Sequence, residues 1–205
     1  KARVVVLACN GIGTPRLLLH SRSARFPHGL ANSSGLVGRN LMFHPYAMVT
    51  GVFDEPLEGY KGPGGCSILS QEFYETDASR GFVRGYDLQV LGFPEAPLSA
   101  ALGGLLGQRV AWGPQHHEEF RERFCHAVGI TVMTDDLPEI HNQVTLDPHL
   151  MDRHGIPAPK VQYTISENTW RMLDHGIERS KEVLEAAGAK KLVWARQRRN
   201  AGWHL

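Results

Sequence analysis

Apolar and polar residues alternate along the chain with three different spacings, and each predicts its own kind of element. Val4-Val5-Val6-Leu7-Ala8 is a continuous apolar run, rich in β-branched residues and too short for a helix. It predicts a strand buried on both faces. Asn10, Gly11 and Gly13 supply a turn, and Thr14-Pro15 predicts a capping hydroxyl before a proline in the first helical position. Leu17, Leu18 and Leu19 give that helix an apolar side. Further strands are predicted over residues 47–53, over 81–91, where alternation is partial, over 126–134, which is apolar and β-branched, over 142–147 and 160–165, which have period two, and over 191–195. In the second of these Phe82, Arg84, Tyr86, Leu88 and Val90 share a face, and in the fourth Val144 and Leu146 point inward. Helical spacing of Trp170, Leu173, Ile177 and Leu184 predicts one long helix to about residue 187, capped by Ser166, with Glu167 at its positive end and Gly188 as a left-handed stop.

Between these elements, residues 22–37 read as a connecting loop. Residues 54–66, with Pro56, Gly59, Gly62, Pro63, Gly64 and Gly65, have the composition either of a loop bordering a site or of a surface excursion. Residues 97–106 are small and apolar and predict a short buried helix, and residues 114–124 a charged one. Strands in hairpin-like succession with one long helix make the fold class α+β, an antiparallel sheet with helices packed on it. To this is added a strand-turn-helix of the kind found in α/β domains. That opening unit is either an ordinary αβ junction or a place where a helix N-terminus faces a phosphate or ribose.

Composition narrows the chemistry. With 22 Lys and Arg against 21 Asp and Glu, the net charge of +1 gives no electrostatic case for nucleic acid. No apolar run is long enough to be a membrane segment. Cys9, Cys66 and Cys125 are widely spaced and odd in number, which points away from a zinc site or a full disulfide framework and toward a reducing compartment. His116-His117-Glu118-Glu119 lacks the HExxH spacing and reads as a solvated helix face rather than a metal site. Asp135-Asp136 reads as a strand terminator, and His44, before Pro45, as a hydrogen-bonded structural histidine. The chain opens at Lys1 and closes on Trp203-His204-Leu205, with no GxGxxG fingerprint. We expect an excerpt of a larger protein, cut on both sides.

Three blocks, in order, carry a family resemblance. VVVLACNGIGTPRLLLHS (residues 4–21) resembles the second signature of the glucose-methanol-choline oxidoreductases, flavoenzymes that oxidise alcohols. GLVGRNLMFHP (residues 35–45) and NQVTLDPHLMDRHGIPAPKVQYTIS (residues 142–166) resemble two later stretches of that family, nearest to its gluconate-dehydrogenase-like bacterial branch. Asn10 stands where the family usually has Gly, Arg22 where a Gly often follows the Ser, and Phe43 where it has Asp.

The resemblance implies that Ala8, Cys9, Asn10 and Gly11 lie against the adenosine half of FAD. It also implies that His204, the head of a truncated H-x-x-G-T motif, is the catalytic base; the second catalytic His or Asn has no counterpart here. Residues 1–45 would be part of an FAD-binding domain, 46–200 a substrate domain, and 201–205 a return to the active site. The implied substrate is a small-molecule alcohol or sugar, oxidised by hydride transfer to flavin. The electron acceptor is left open, as is a cytoplasmic or periplasmic location. Homo-oligomers could form through uncovered strand edges. A different class of function, a non-catalytic carbohydrate- or ligand-binding α+β module, would account for the missing fingerprint.

Overall fold

The computed structural model describes residues 2–62, 65–92, 101–102 and 110–196. They divide into two compact units, one from residues 2–43 and 136–165, the other from residues 44–135 and 166–196.

The second unit is a five-stranded antiparallel sheet. Its strands are β1 (Tyr46–Val52), β2 (Cys66–Ser70), β3 (Tyr86–Leu91), β4 (Ala127–Thr134) and β7 (Lys191–Arg196), in the spatial order β2-β3-β4-β1-β7. Every neighbouring pair is antiparallel. The central place of β4 agrees with its β-branched, nearly unbroken apolar sequence. One face of the sheet is covered by α3 (Glu167–Ala186). Ala47, Val49, Tyr86, Leu88, Ile130 and Val132 from the strands meet Met172, Leu173, Ile177 and Leu184 from the helix in one buried cluster. Gly176 makes this possible, because a Cβ there would run into Val132 and Tyr86. As predicted, Ser166 caps α3, its Oγ accepting from the Thr169 amide at 3.2 Å. Gly188 stops the helix at φ +97°, its amide donating to the Glu185 carbonyl.

Within the same unit, α2 (Pro114–Arg123) forms as its composition predicts. Between β1 and β2 the loop carries a 3-10 turn at Gly59–Lys61. The strand predicted over 81–91 begins only at Tyr86. A 3-10 turn at Ala78–Arg80 and a left-handed Arg84 (φ 68°) occupy the chain before it, and neither conformation can extend a ladder. Apart from residues 101–102, the short helix predicted over 97–106 lies outside the described residues.

In the first unit, α1 (Asn10–His20) is joined by a two-stranded antiparallel sheet, β5 (Gln143–Met151) and β6 (Pro157–Gln162). The turn predicted over residues 151–159 is tighter than its proline content suggests, since both flanking strands run into it. Asp152 closes it by accepting from the His154 and Ile156 amides through one oxygen, at 2.8 and 3.1 Å. The segment 4–8, predicted to be a buried strand, is neither. Val4, Val5 and Val6 are 77%, 75% and 82% exposed, and no described segment pairs with them. A strand exists only through its hydrogen-bonded neighbours, so apolar character alone leaves this run unpaired among the described residues.

Candidate functional site

The residues implied in cofactor contact stand at the head of α1, and the structure shows how that head is built. Asn10, not Thr14, starts the helix. Its backbone is left-handed (φ 59°), a region that Gly enters freely and Asn tolerates among other residues, which explains how Asn stands in a glycine's place. The Asn10 Oδ1 accepts from both the Ile12 and Gly13 amides at 2.9 Å. Thr14 reaches back, its Oγ1 accepting from the Cys9 amide at 3.2 Å. This is the reciprocal logic of a capping box, displaced toward the N-terminus from where the Thr-Pro pair predicted it. The proline consequently falls inside the helix.

The geometry bears on what this end can hold. Two of the amides that a helix start offers to an anion are already taken by Asn10. A phosphate would have to displace that side chain. Ala8, Cys9 and Gly11 are small and exposed, so the backbone around them is open to close approach by a flat, uncharged group. Beside them a depression of about 250 Å³ is lined by Cys9, Gly13, Arg16, Leu17, His20 and Ile156. These features suit the adenosine part of a dinucleotide and not its pyrophosphate.

Arg16 supports the site from below. Its Nε donates to the Pro157 carbonyl at 2.7 Å, and one terminal nitrogen donates to Asp152 Oδ2 at 2.9 Å and to the Ile156 carbonyl at 3.1 Å. The His154 and Ile156 amides, with Arg16 beside them, hold the Asp152 carboxyl below the usual carboxylate range. The planar fork of Arg fits this turn in a way a point-charged ammonium cannot. Arg16→Lys is therefore expected to loosen this hairpin locally. Amide hydrogen exchange over residues 152–162 should quicken while that of α3 stays unchanged; equal protection in the variant would show that the fork does not hold the hairpin.

A second polar centre in this unit was not predicted. Asp136, expected to end a strand, is buried to 3% exposure and accepts from the Tyr163 hydroxyl at 2.6 Å and from the Phe43 amide at 3.3 Å. Burial and the adjoining carboxylate push the Tyr163 hydroxyl well above its ordinary range. Asn142, fully buried, accepts from the Thr164 amide at 2.8 Å and donates to its carbonyl at 3.1 Å. The block from Asn142 to Tyr163, which carries much of the resemblance, is thus a scaffold of satisfied hydrogen bonds. The sequence signal for this was the pairing of buried-type Asn and Tyr with short-range aspartates at turns.

Other candidates take structural roles. His44 Nδ1 lies 3.2 Å from the Thr134 carbonyl, at the head of β1. His116 Nδ1 lies 3.1 Å from the Ala111 carbonyl, and Glu119 accepts from the Ala111 amide at 3.1 Å, so this run fastens the start of α2. Among the described residues no helix is long and apolar enough to cross a membrane. His204 lies outside the described residues.

No protein-family model matches the chain. Curated relatives do. Over 189 residues, 92% of the chain, it is 42% identical to the 2-methyl-1,2-propanediol dehydrogenase of Mycolicibacterium austroafricanum, covering 34% of that protein. It is 32% identical over 198 residues to the fructose dehydrogenase large subunit of Gluconobacter japonicus, with 93% of the chain and 34% of the subunit covered. A more distant relative is the gluconate 2-dehydrogenase flavoprotein of Pantoea cypripedii, 22% identical over 94% of the chain and 32% of that protein. The chain spans about a third of the length of these curated relatives. Over nearly all of its own length it is therefore similar to about a third of dehydrogenases named for a diol and for sugar-type substrates.

Proposed function

We propose that this chain is part of an FAD-dependent oxidoreductase of the glucose-methanol-choline family that acts on CH–OH groups of an alcohol or sugar. The observation that carries the reading is the 42% identity, over 92% of the chain, to a diol dehydrogenase. The ordered blocks of the sequence and the flavoprotein among the relatives support it. Residues 1–45 belong to the cofactor domain in this reading, residues 46–200 to the substrate domain, and residues 201–205 return to the reaction centre. Ala8, Cys9, Asn10 and Gly11 hold the adenosine half of FAD by close backbone approach, since the helix amides are committed to Asn10. When bound, FAD supplies the hydride acceptor. His204 removes the hydroxyl proton of the substrate, a task suited to an imidazole that is neutral yet basic near pH 7.

The intact protein carrying this chain is expected to be yellow, with a flavin absorption band that bleaches on anaerobic addition of a substrate alcohol. A correctly folded, colourless protein that does not take up FAD would defeat the proposal and favour a non-catalytic binding module.

A further inference from the structure

The loop that joins β2 to β3, residues 71–85, folds back on itself and is fastened to α3 at two points of different chemistry. The first is Asn168. Its Oδ1 accepts from the Val83 amide at 2.8 Å, and its Nδ2 donates to the Val83 carbonyl at 2.9 Å. A carboxamide does not titrate, so this clamp is insensitive to acid.

The second point is His175, about two turns further along the same face of the helix. Its half-buried ring is packed among aromatic side chains of the loop and of β3. Phe73 and Phe82 each lie 5.4 Å from it, centre to centre, and Tyr86 lies 5.8 Å away. Phe73 stacks in turn on Tyr86 at 5.2 Å, and its carbonyl accepts from the Tyr86 amide at 3.1 Å. Gly85 lets the two arms of the loop close this far, because a Cβ there would run into the Phe73 and Tyr74 carbonyls.

Within this cluster the Tyr86 hydroxyl and His175 Nδ1 are 2.7 Å apart. Tyr86 is buried, which pushes its hydroxyl well above the ordinary range, so the hydroxyl keeps its proton and donates it. His175 Nδ1 is then the acceptor, and the ring is the neutral tautomer with its hydrogen on Nε2. A further proton would land on Nδ1 and set two hydrogens against each other across a short contact. The charged groups facing the ring are Arg179 and Glu182 from α3 and Arg80 from the loop, while β3 contributes the Tyr86 hydroxyl. Both nearby carboxylates are already engaged, Glu182 with Arg179 at 2.6 Å and Asp77 with Arg80 at 3.5 Å. The Phe73 ring already accepts the Arg80 guanidinium, 5.2 Å from its centre. Burial first, then Arg179 and Arg80, hold the imidazole below its ordinary range, with Glu182 opposing.

We propose that His175 is a proton-operated latch: the neutral ring docks the Phe73 arm of the loop on α3, and the protonated ring releases that arm while Asn168 keeps Val83 in place. The loop then pivots about its second arm. A released imidazole accepts its proton near pH 6.5, as an exposed histidine does, and the docked ring resists it. Docking is therefore complete above about pH 6.5 and is lost as the pH falls through the lower value of the docked ring. Release also loosens the tether of β2, an edge strand that pairs with β3 and whose chain runs directly into this loop. The device is independent of the reaction proposed for the chain.

Amide hydrogen exchange on the intact protein at about pH 7.5 and about pH 5.5, each rate divided by its intrinsic value at that pH, reads the latch directly. The Tyr86 amide, bonded to the Phe73 carbonyl, is expected to lose protection severalfold, by at most about tenfold per pH unit for a single proton. The Val83 amide on Asn168 and the amides of α3 should keep theirs. His175→Gln offers Tyr86 an acceptor that never titrates. Its Tyr86 amide should be protected as in the wild type at the higher pH, and equally at the lower one. A second readout needs no variant: in isotope-labelled wild-type protein the ring nitrogens of His175 should titrate in step with the loss of protection at Tyr86. A pH dependence that persists in His175→Gln, a loss shared equally by Val83 and α3, or a His175 titration that leaves the Tyr86 amide unmoved would overturn the proposal.

Discussion

Replacing His204 with Ala in the intact enzyme is expected to slow flavin reduction by about 10²–10⁴-fold, the usual contribution of a positioned general base. The alcohol proton must leave as the C–H bond gives up its hydride. Without a base, an alkoxide would have to form in water at neutral pH, far below the pKa of an alcohol. FAD should remain bound in this variant, because the residues proposed to hold its adenosine half, Ala8 to Gly11, are untouched. His44→Ala should behave in the opposite sense. His44 bonds the Thr134 carbonyl, so its loss should cost about 0.5–1.5 kcal/mol of stability and leave the reduction step near the wild-type rate. Stopped-flow flavin reduction measured alongside flavin occupancy distinguishes the two. A wild-type rate in His204→Ala, with the step abolished in fully loaded His44→Ala, would exchange the two roles.

The second large effect is on folding. Leu173→Ala is expected to destabilise the five-stranded unit by about 2–5 kcal/mol. Leu173 is fully buried on α3 within the cluster that joins the helix to β1, β3 and β4. Removing its branched end takes apolar surface out of the packed interior and leaves a cavity that a five-stranded sheet is too stiff to close. Against a typical total of about 5–15 kcal/mol, that loss is a large fraction of what keeps a domain folded. Val183→Ala is the control: the side chain lies on the same helix but is 51% exposed, and should change stability by less than about 0.5 kcal/mol. Urea unfolding should show a lowered midpoint with an unchanged slope for Leu173→Ala only. Equal shifts in both variants would mean that the buried face of α3 is misassigned.

What the sequence determined by itself is the part of the fold that local spacing controls. The helical period of Trp170, Leu173, Ile177 and Leu184, with Ser166 and Gly188 at its ends, specified α3 and the face it buries, because side chains four apart on a helix share a surface wherever that helix is placed. The β-branched run of β4 likewise specified a strand with neighbours on both sides, and the antiparallel α+β class followed from the succession of such runs. The family resemblance was legible too, in three short blocks whose order could be read without coordinates.

Tertiary structure decided what depends on partners distant in sequence. Val4 to Ala8 has every local mark of a buried strand and is exposed, because strand formation requires a neighbour and local pattern cannot supply one. Asp135 and Asp136 follow the end of β4 at Thr134 as expected, but that Asp136 is also a buried acceptor could not be read locally, since the Tyr163 hydroxyl it accepts from lies 27 residues away. Arg16 and Asp152 were read in separate blocks, 136 residues apart, and only folding made them one clamp. The register of β3 against β4 is a further case: Gln89 and Thr131 belong to strands far apart in sequence, and only their antiparallel pairing sets one opposite the other.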